Sequence, residues 1–448
     1  MQKTYPRKPY QANPLKMGRP MGAALALLGT GDAVPLMLGA RGCATVGLVL
    51  LNRHFQRTLP IETVDMDELA LIAGNTEGLE RTLLELSHRP DRPGLVGLLV
   101  TGLAEARGDD IAGFLRGFRR NVQTLQPNCG AMVETLAIPC PDFRGASQDG
   151  WSDAVEAMVA QYAAPAPAGM RDPRQITVLA GWQMSPGDVE EIKDILEAFD
   201  LKPLVVPDLS LPPGTEEDSP ANAYPHGDEA ATSGPALLRR MGTSTHALAF
   251  GGHMRGAARI LKQQAGIPFQ VFDRCIGLGP SDALIGHLAR ISGNKTPARF
   301  RRQRSRLVDA MLNAAPILGR RKVVVASDPD HLFSLYCWLS ELGAAMPCAI
   351  ASTNAPILRQ IPESLVHVGD LEDLEKGMRG ADLLIAPSSA APVARRLSIP
   401  HLRAGIPVTD RFRGAQETTL GYRGAWNLLC TAADLINDRR ADEIPAES

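Results

Sequence analysis

The chain has 448 residues, and its 47 Lys or Arg residues nearly balance its 49 Asp or Glu residues, leaving a formal net charge of -2. This balance and the 44% hydrophobic content are typical of a globular protein, and nothing in them indicates a nucleic-acid or membrane partner. At about 150 residues per domain, the length predicts about three domains with ample hydrophobic core.

Seven cysteines are spread along the chain without a C-x-x-C pair. An odd number of distant cysteines argues against a disulfide framework. The basic first 20 residues have no continuous apolar core and are therefore expected to form a loose arm rather than a signal peptide. The longest apolar stretches are too short to cross a bilayer, so we expect a cytoplasmic protein.

Cys43 is the most informative residue of the first predicted domain (residues 21–168). It ends the stretch Leu-Gly-Ala-Arg-Gly-Cys at 38–43 and precedes an apolar helical run at 44–51. Unpaired N–H groups at a helix start favour thiolate over thiol, and the flanking glycines allow a bulky ligand to approach the backbone. A thiolate there suits a metal cluster. An iron-sulfur cube usually needs four ligands, so the others must come from elsewhere in the chain or from a partner.

Alternating strands and helices follow in chain order. The apolar run 95–101 predicts a buried strand, and Asp109 and Asp110 are interpreted as caps of a helix that begins at 111. The Ala- and Pro-rich residues 163–169 indicate a linker.

The second predicted domain (169–320) and the third (321–448) repeat the pattern. Strands are expected at 176–180, 204–206 and 247–252, then at 322–326, 348–351 and 383–386, with a polar Pro-rich loop at 211–234. Asp328 follows one of these strands and is interpreted as a helix cap. The predicted fold class is α/β, with three doubly wound parallel-sheet, Rossmann-like domains and ligands held in the clefts between them.

Common catalytic motifs are absent from the sequence. It contains no phosphate loop, no complete G-x-G-x-x-G, no G-x-S-x-G and no H-E-x-x-H. Cys337, Cys348 and Cys430 are interpreted as buried small hydrophobes, and Cys129, Cys140 and Cys275 as slightly more exposed candidates. None of them shares a ligand context with Cys43, so a partner chain is expected to supply the missing ligands.

A series of short motifs resembles, in order, the beta-like scaffold subunits of the nitrogenase component 1 family, on which the iron-molybdenum cofactor is assembled. The resemblance covers nearly the whole chain and is carried by residues 20–25, the G-x-x-G-C element ending at Cys43, and residues 53–55, 66–68, 101–105, 108–110, 141–143, 207–209, 291–294, 369–374 and 421–424.

The resemblance also separates two branches of that family. The catalytic beta subunit uses three cysteines for its share of an eight-iron cluster, whereas the matching positions here are Gly18, Cys43 and Gly102. One remaining cysteine implies a 4Fe-4S cluster at a subunit interface, with three ligands from the partner. The related scaffold subunits often have the sequence H-G-S-Q-G-C at the positions that match residues 38–43. In this chain Leu38, Ala40 and Arg41 stand in place of the histidine, serine and glutamine. These replacements are expected to change hydrogen bonding to the cluster and its reduction potential.

The resemblance implies a scaffold that transfers electrons rather than a stand-alone enzyme. Its expected partners are a NifE-like subunit in an alpha2beta2 heterotetramer, the nitrogenase reductase (iron protein) and a precursor donor protein, with the iron-molybdenum cofactor precursor held mainly by the NifE-like subunit. Two alternatives stay open. The chain can be a beta-type subunit of a catalytic reductase, acting on dinitrogen or on tetrapyrroles, or a structural partner in which Cys43 binds no metal.

Overall fold

A computed structural model describes residues 13–65, 76–125, 133–167, 169–210 and 234–443. Cys129, the motif at 66–68 and nearly all of the polar segment 211–234 lie outside the described residues. Among the described residues, no helix has the length and apolar character needed to cross a membrane.

The first sheet has four parallel strands in the order β2-β1-β3-β4. These are β1 (Ala33–Gly39), β2 (Glu62–Asp65), β3 (Leu95–Val100) and β4 (Glu134–Pro139). The helices around it are α1 (Arg19–Leu28), α2 (Arg41–Phe55), α3 (Thr76–His88), α4 (Gly102–Arg107), α5 (Ile111–Leu125) and α6 (Ser147–Tyr162). Every residue of β3 is buried, which explains why its sequence is a continuous apolar run.

The second sheet has the order β6-β5-β7-β8 and the third β11-β10-β9-β12-β13, and both are parallel. Their strands are β5 (Gln175–Leu179), β6 (Lys202–Val206), β7 (His246–Phe250), β8 (Phe269–Phe272), β9 (Val323–Ser327), β10 (Ala349–Ala351), β11 (Val366–Val368), β12 (Leu383–Ala386) and β13 (His401–Arg403). The predicted class of three doubly wound parallel sheets is confirmed.

The remaining helices connect and cover these two sheets. They are α7 (Pro186–Glu197), α8 (Gly234–Arg239), α9 (Arg255–Ala265), α10 (Leu278–Ser292), α11 (Ala298–Leu318), α12 (Pro329–Glu341), α13 (Leu371–Gly377), α14 (Ala391–Arg396) and α15 (Gly421–Glu443).

Each sheet has a point between two neighbouring strands at which the direction of the chain connections reverses. The order of strands places it between β1 and β3, between β5 and β7, and between β9 and β12. Ligands of open parallel sheets bind outside the carboxyl ends of the strands at such points. The fold therefore provides three candidate sites.

The hydrophobic cores join neighbouring sheets. One core contains residues of the first and second sheets, and a larger one joins the second and third through α11 and α15. Leu15, which precedes α1, packs in a core of the third sheet. Side chains from different units share these cores, so the cores do not mark where one unit ends and the next begins. The predicted boundaries at 20/21, 168/169 and 320/321 stay predictions.

Helices α1 and α6 approach so closely that two glycines are required at their contact. A Cβ atom on Gly22 would lie 1.8 Å from the carbonyl oxygen of Ser147, and one on Gly150 would lie 1.8 Å from that of Arg19. Arg19 then pairs with Asp153, with distances of 2.5 and 2.9 Å. This contact fixes the start of α1, where the first of the three expected cluster positions lies.

The interpretation of Asp328 as a helix cap is wrong. It occupies the position before α12, but its side chain makes no capping hydrogen bond. Its carboxylate instead accepts hydrogen bonds from Trp182 Nε1, at 2.5 Å, and from Ser352 Oγ. Asp328 is buried, and these two donors satisfy a carboxylate that would otherwise be costly to bury.

Candidate functional site

Cys43 is the third residue of α2, which begins directly after β1. Ala40 precedes the helix in an extended conformation and has no side chain that could cap it. The backbone N–H of Arg41 is 3.3 Å from the carboxylate of Asp65. The expected position of Cys43 at a helix start is confirmed, where the helix dipole favours a thiolate.

The starts of α2 and α4 flank the reversal point of the first sheet. Leu38 of β1 is paired with Val100 of β3, and the two helices follow these strands directly. The hydroxyl of Thr101 donates a 2.6 Å hydrogen bond to the carbonyl of Leu38, and a Cβ on Gly39 would lie 2.9 Å from that hydroxyl oxygen. The backbone after β1 is therefore held against the backbone after β3.

The other two expected cluster positions also lie at helix starts. Gly18 precedes α1, and Gly102 is the first residue of α4. Where α1 and α2 cross, a Cβ on Gly47, the seventh residue of α2, would lie 2.2 Å from the sulfur of Met21, the third residue of α1. The fold thus places all three matching positions at neighbouring helix starts, of which only the one at 43 carries a cysteine.

Space for side chains differs between the two glycine positions. A Cβ on Gly18 would have its nearest neighbour at 3.7 Å, an ordinary contact, whereas one on Gly102 would lie 3.1 Å from the ring of Phe143. Because Phe143 is exposed, its ring can move. Packing therefore does not explain the absence of cysteines at 18 and 102.

Leu38 and Arg41, two of the residues that replace polar groups near Cys43, lie in different surroundings. Leu38 is buried in the core of the first sheet. Arg41 is exposed, and its Nε lies 3.9 Å from Asp65. The effect of these residues and Ala40 on a cluster potential stays a prediction, but Asp65 offsets part of the charge that Arg41 adds.

For the other cysteines that the structure describes, the expected order of exposure is reversed. Cys140 and Cys275 are buried, and burial raises the pKa of both thiols, which keeps them protonated. Cys337, Cys348 and Cys430 are half-buried instead. Within the described part of the chain, no group of three or more His, Cys, Asp or Glu side chains is placed to hold a metal ion.

Exposed apolar side chains surround the start of α2, which the sequence analysis missed. Val46 is 67% exposed, Val49 53% and Leu50 38%, and the spacing of three and seven residues places Val46 and Leu50 on the helix face of Cys43. Leu103 and Phe143 are exposed at the same edge of the sheet. We call these five residues the apolar patch. The signal was present in the run 44–51, which is apolar around the whole helix rather than on one face. Such a patch is typical of a protein interface.

Known proteins match this chain over nearly its whole length. The family model of nitrogenase component 1 type oxidoreductases matches residues 19–437. NifN, the nitrogenase iron-molybdenum cofactor biosynthesis protein, is 39% identical in Nostoc sp., over 97% of this chain and 95% of that protein. The NifN of Bradyrhizobium diazoefficiens is 37% identical, over 97% of this chain and 91% of that protein.

A solved structure supports the same assignment. The chain described as "Nitrogenase Cp1 at pH 6.5" superposes with a TM-score of 0.88 and 26% identity, covering 100% of this chain and 97% of that one. A second nitrogenase Cp1 chain, at 12% identity and a TM-score of 0.68, shares the fold. The chain therefore belongs to the nitrogenase component 1 family, with NifN proteins among its relatives.

Proposed function

We propose that this chain is the beta-like subunit of the scaffold complex on which the iron-molybdenum cofactor of nitrogenase is assembled. NifN relatives at 33–39% identity, each covered over nearly its full length, support the role. The partner would be a NifE-like subunit in an alpha2beta2 heterotetramer that holds most of the cofactor precursor. The nitrogenase reductase and a precursor donor protein would be the transient partners.

In this proposal, Cys43 supplies one of four thiolate ligands to a 4Fe-4S cluster shared with the NifE-like subunit. The helix start favours the thiolate, Gly42 leaves open space next to it in the chain, and the apolar patch gives the partner a surface to cover. When bound, such a cluster supplies one-electron transfer.

The observation that carries the proposal is the set Gly18, Cys43 and Gly102. The fold places these positions at neighbouring helix starts and leaves room at 18 and, once the exposed Phe143 ring moves, at 102, yet of the three residues only Cys43 can bind iron. A chain with one thiolate here can complete a shared four-iron cluster but cannot supply three ligands to a larger one.

A reconstitution assay tests the scaffold role. The chain is purified anaerobically with its NifE-like partner and added to an extract that lacks both subunits and contains cofactor-free nitrogenase component 1. We expect the pair to restore acetylene reduction by the extract, while the purified pair mixed with the reductase alone gives only background rates. Reduction of dinitrogen or acetylene by the pair itself at nitrogenase-like rates would instead establish the beta-type catalytic subunit.

A further inference from the structure

A second cleft lies at the carboxyl ends of the second and third sheets and reaches His54, at the end of α2 opposite to Cys43. It has a volume of about 530 Å³. Its walls include Gln183 and Ser185 after β5, His331 after β9, and Gly405 after β13. Two reversal points, those between β5 and β7 and between β9 and β12, therefore contribute to one cleft, which is where parallel-sheet proteins bind ligands.

The floor of the cleft is formed by three buried histidines, His54, His331 and His401. Burial lowers the pKa of each to about 4, so all three are neutral at pH 7. The Nε2 of His401 lies 2.9 Å from the carbonyl oxygen of Ala386 and therefore carries the proton. Its Nδ1 is a buried acceptor without a partner among the described residues.

Most charges that line the cleft are already paired. Arg403 lies 2.9 Å from Asp410, and Arg413 lies 3.4 Å from Glu417. The carboxylate of Asp188 is buried and accepts hydrogen bonds from the backbone N–H groups of Ser185, Thr419 and Leu420. These charged groups are therefore already paired or hydrogen-bonded within the protein.

Arg411 is the exception in the cleft. Its side chain lines the cavity and is exposed, and within the described ranges the guanidinium has neither an ion pair nor a hydrogen bond. Its charge reaches His401, because Arg411 is the last of the groups that act on the pKa of His401, after burial, Arg403, the hydrogen bond to Ala386 and Asp410. An unpaired guanidinium above neutral histidines favours an anion.

The other walls are apolar. They are formed by Leu402, Ile406, Val408, Leu428 and Leu435, with the exposed ring of Phe412 at the mouth. A hydrated inorganic anion would leave these walls uncovered. A ligand with an apolar body would bury them and direct its charge to Arg411.

We propose that this cleft binds a small organic carboxylate, with its apolar body against Leu402, Ile406 and Leu428 and its carboxylate on Arg411. Arg411 offers two parallel N–H donors, which match the two oxygens of a carboxylate. A ligand hydroxyl would fit the free acceptor of His401. The site is separate from Cys43 and does not depend on the scaffold function.

Binding of hexanoate to the purified complex tests the site, with hexanamide as the uncharged probe of the same length. Titration by calorimetry or ligand-observed NMR should give binding of hexanoate in the millimolar range and at least tenfold weaker binding of hexanamide. Replacing Arg411 with glutamine should weaken hexanoate binding about tenfold and leave hexanamide unchanged. The matched control Arg302→Gln removes an exposed charge on α11 and should change neither.

A second variant tests the location without removing a charge. Thr431 is exposed on α15 and lines the cleft, so Thr431→Trp should fill the cavity, leave the fold intact and abolish binding of both probes. The proposal is overturned if hexanoate does not bind, if hexanamide binds equally well, or if either Arg411→Gln or Thr431→Trp leaves hexanoate binding unchanged.

Discussion

Replacing Asp330 with alanine should lower the free energy of unfolding by about 3–5 kcal/mol. Asp330 is buried where the three units meet. Its carboxylate accepts hydrogen bonds from the backbone N–H of Gly252 and, at 2.7 Å, from the side-chain amide of Gln148. The same amide group of Gln148 accepts the backbone N–H of Asp330 at 3.1 Å, so one residue pair joins the first unit to the third.

His253 completes this junction. Its Nε2 accepts a hydrogen bond from the backbone N–H of Trp182 at 3.0 Å, which leaves the proton on Nδ1, 3.3 Å from the Asp330 carboxylate. Burial alone would raise the pKa of Asp330, but His253 and the backbone donors outweigh it and hold this pKa below its ordinary value. Alanine would leave these donors buried and unpaired.

Urea unfolding followed by tryptophan fluorescence measures this effect. Trp182 and Trp151 pack edge to face beside the junction, with ring centroids 5.8 Å apart, and therefore report on it directly. The matched control is Asp309→Ala, which removes an exposed carboxylate on α11 and should change the free energy of unfolding by less than about 0.5 kcal/mol. A loss of under about 1 kcal/mol for Asp330→Ala would show that the junction does not stabilise the fold.

Replacing Val46 with aspartate should weaken assembly with the NifE-like subunit about 100-fold or more. Val46 is the most exposed valine of the apolar patch and lies one turn from Cys43. In the isolated chain an aspartate there would be hydrated, so the fold should be unaffected. Within an interface its charge would lose water without gaining a partner, a cost of several kcal/mol.

Co-purification with a tagged partner, followed by quantitative binding of the separated subunits, measures this loss. Leu312→Asp is the matched control, because Leu312 is similarly exposed, at 69%, but lies on α11 in the second half of the chain. It should assemble normally. Equal assembly of the Val46→Asp and wild-type chains would show that the partner does not cover the apolar patch.

Local patterns predicted much of the fold. The buried strand expected at 95–101 is β3 (Leu95–Val100), because burial on both sides of a parallel sheet makes a strand apolar throughout. The helix expected from 111 is α5. The helix start at Cys43 was equally local, since it depends on a few glycines followed by an apolar run. Neither needed information from distant residues.

Features that depend on distant residues were not predictable in this way. Asp328 occupies a capping position, yet its carboxylate accepts a hydrogen bond from Trp182, which lies 146 residues earlier in the chain. Cys140 follows a strand end, where exposure is common, but other elements cover it. The residues of the second cleft range from His54 to Leu435, and no spacing in the sequence brings them together. The fold does so, because residues that follow β5 and residues that follow β9 line the same cleft.

The most direct test of the account is the iron content and electron paramagnetic resonance of the anaerobically purified pair, with and without Cys43→Ala. We predict that the wild-type pair shows the signal of a reduced 4Fe-4S cluster. The Cys43→Ala pair should lose this signal and, for each cluster lost, about four iron atoms. It should still assemble through the apolar patch. The control Cys348→Ala, at a half-buried cysteine of the third unit, should retain both. An unchanged cluster signal in Cys43→Ala would contradict the assignment of Cys43 as a ligand.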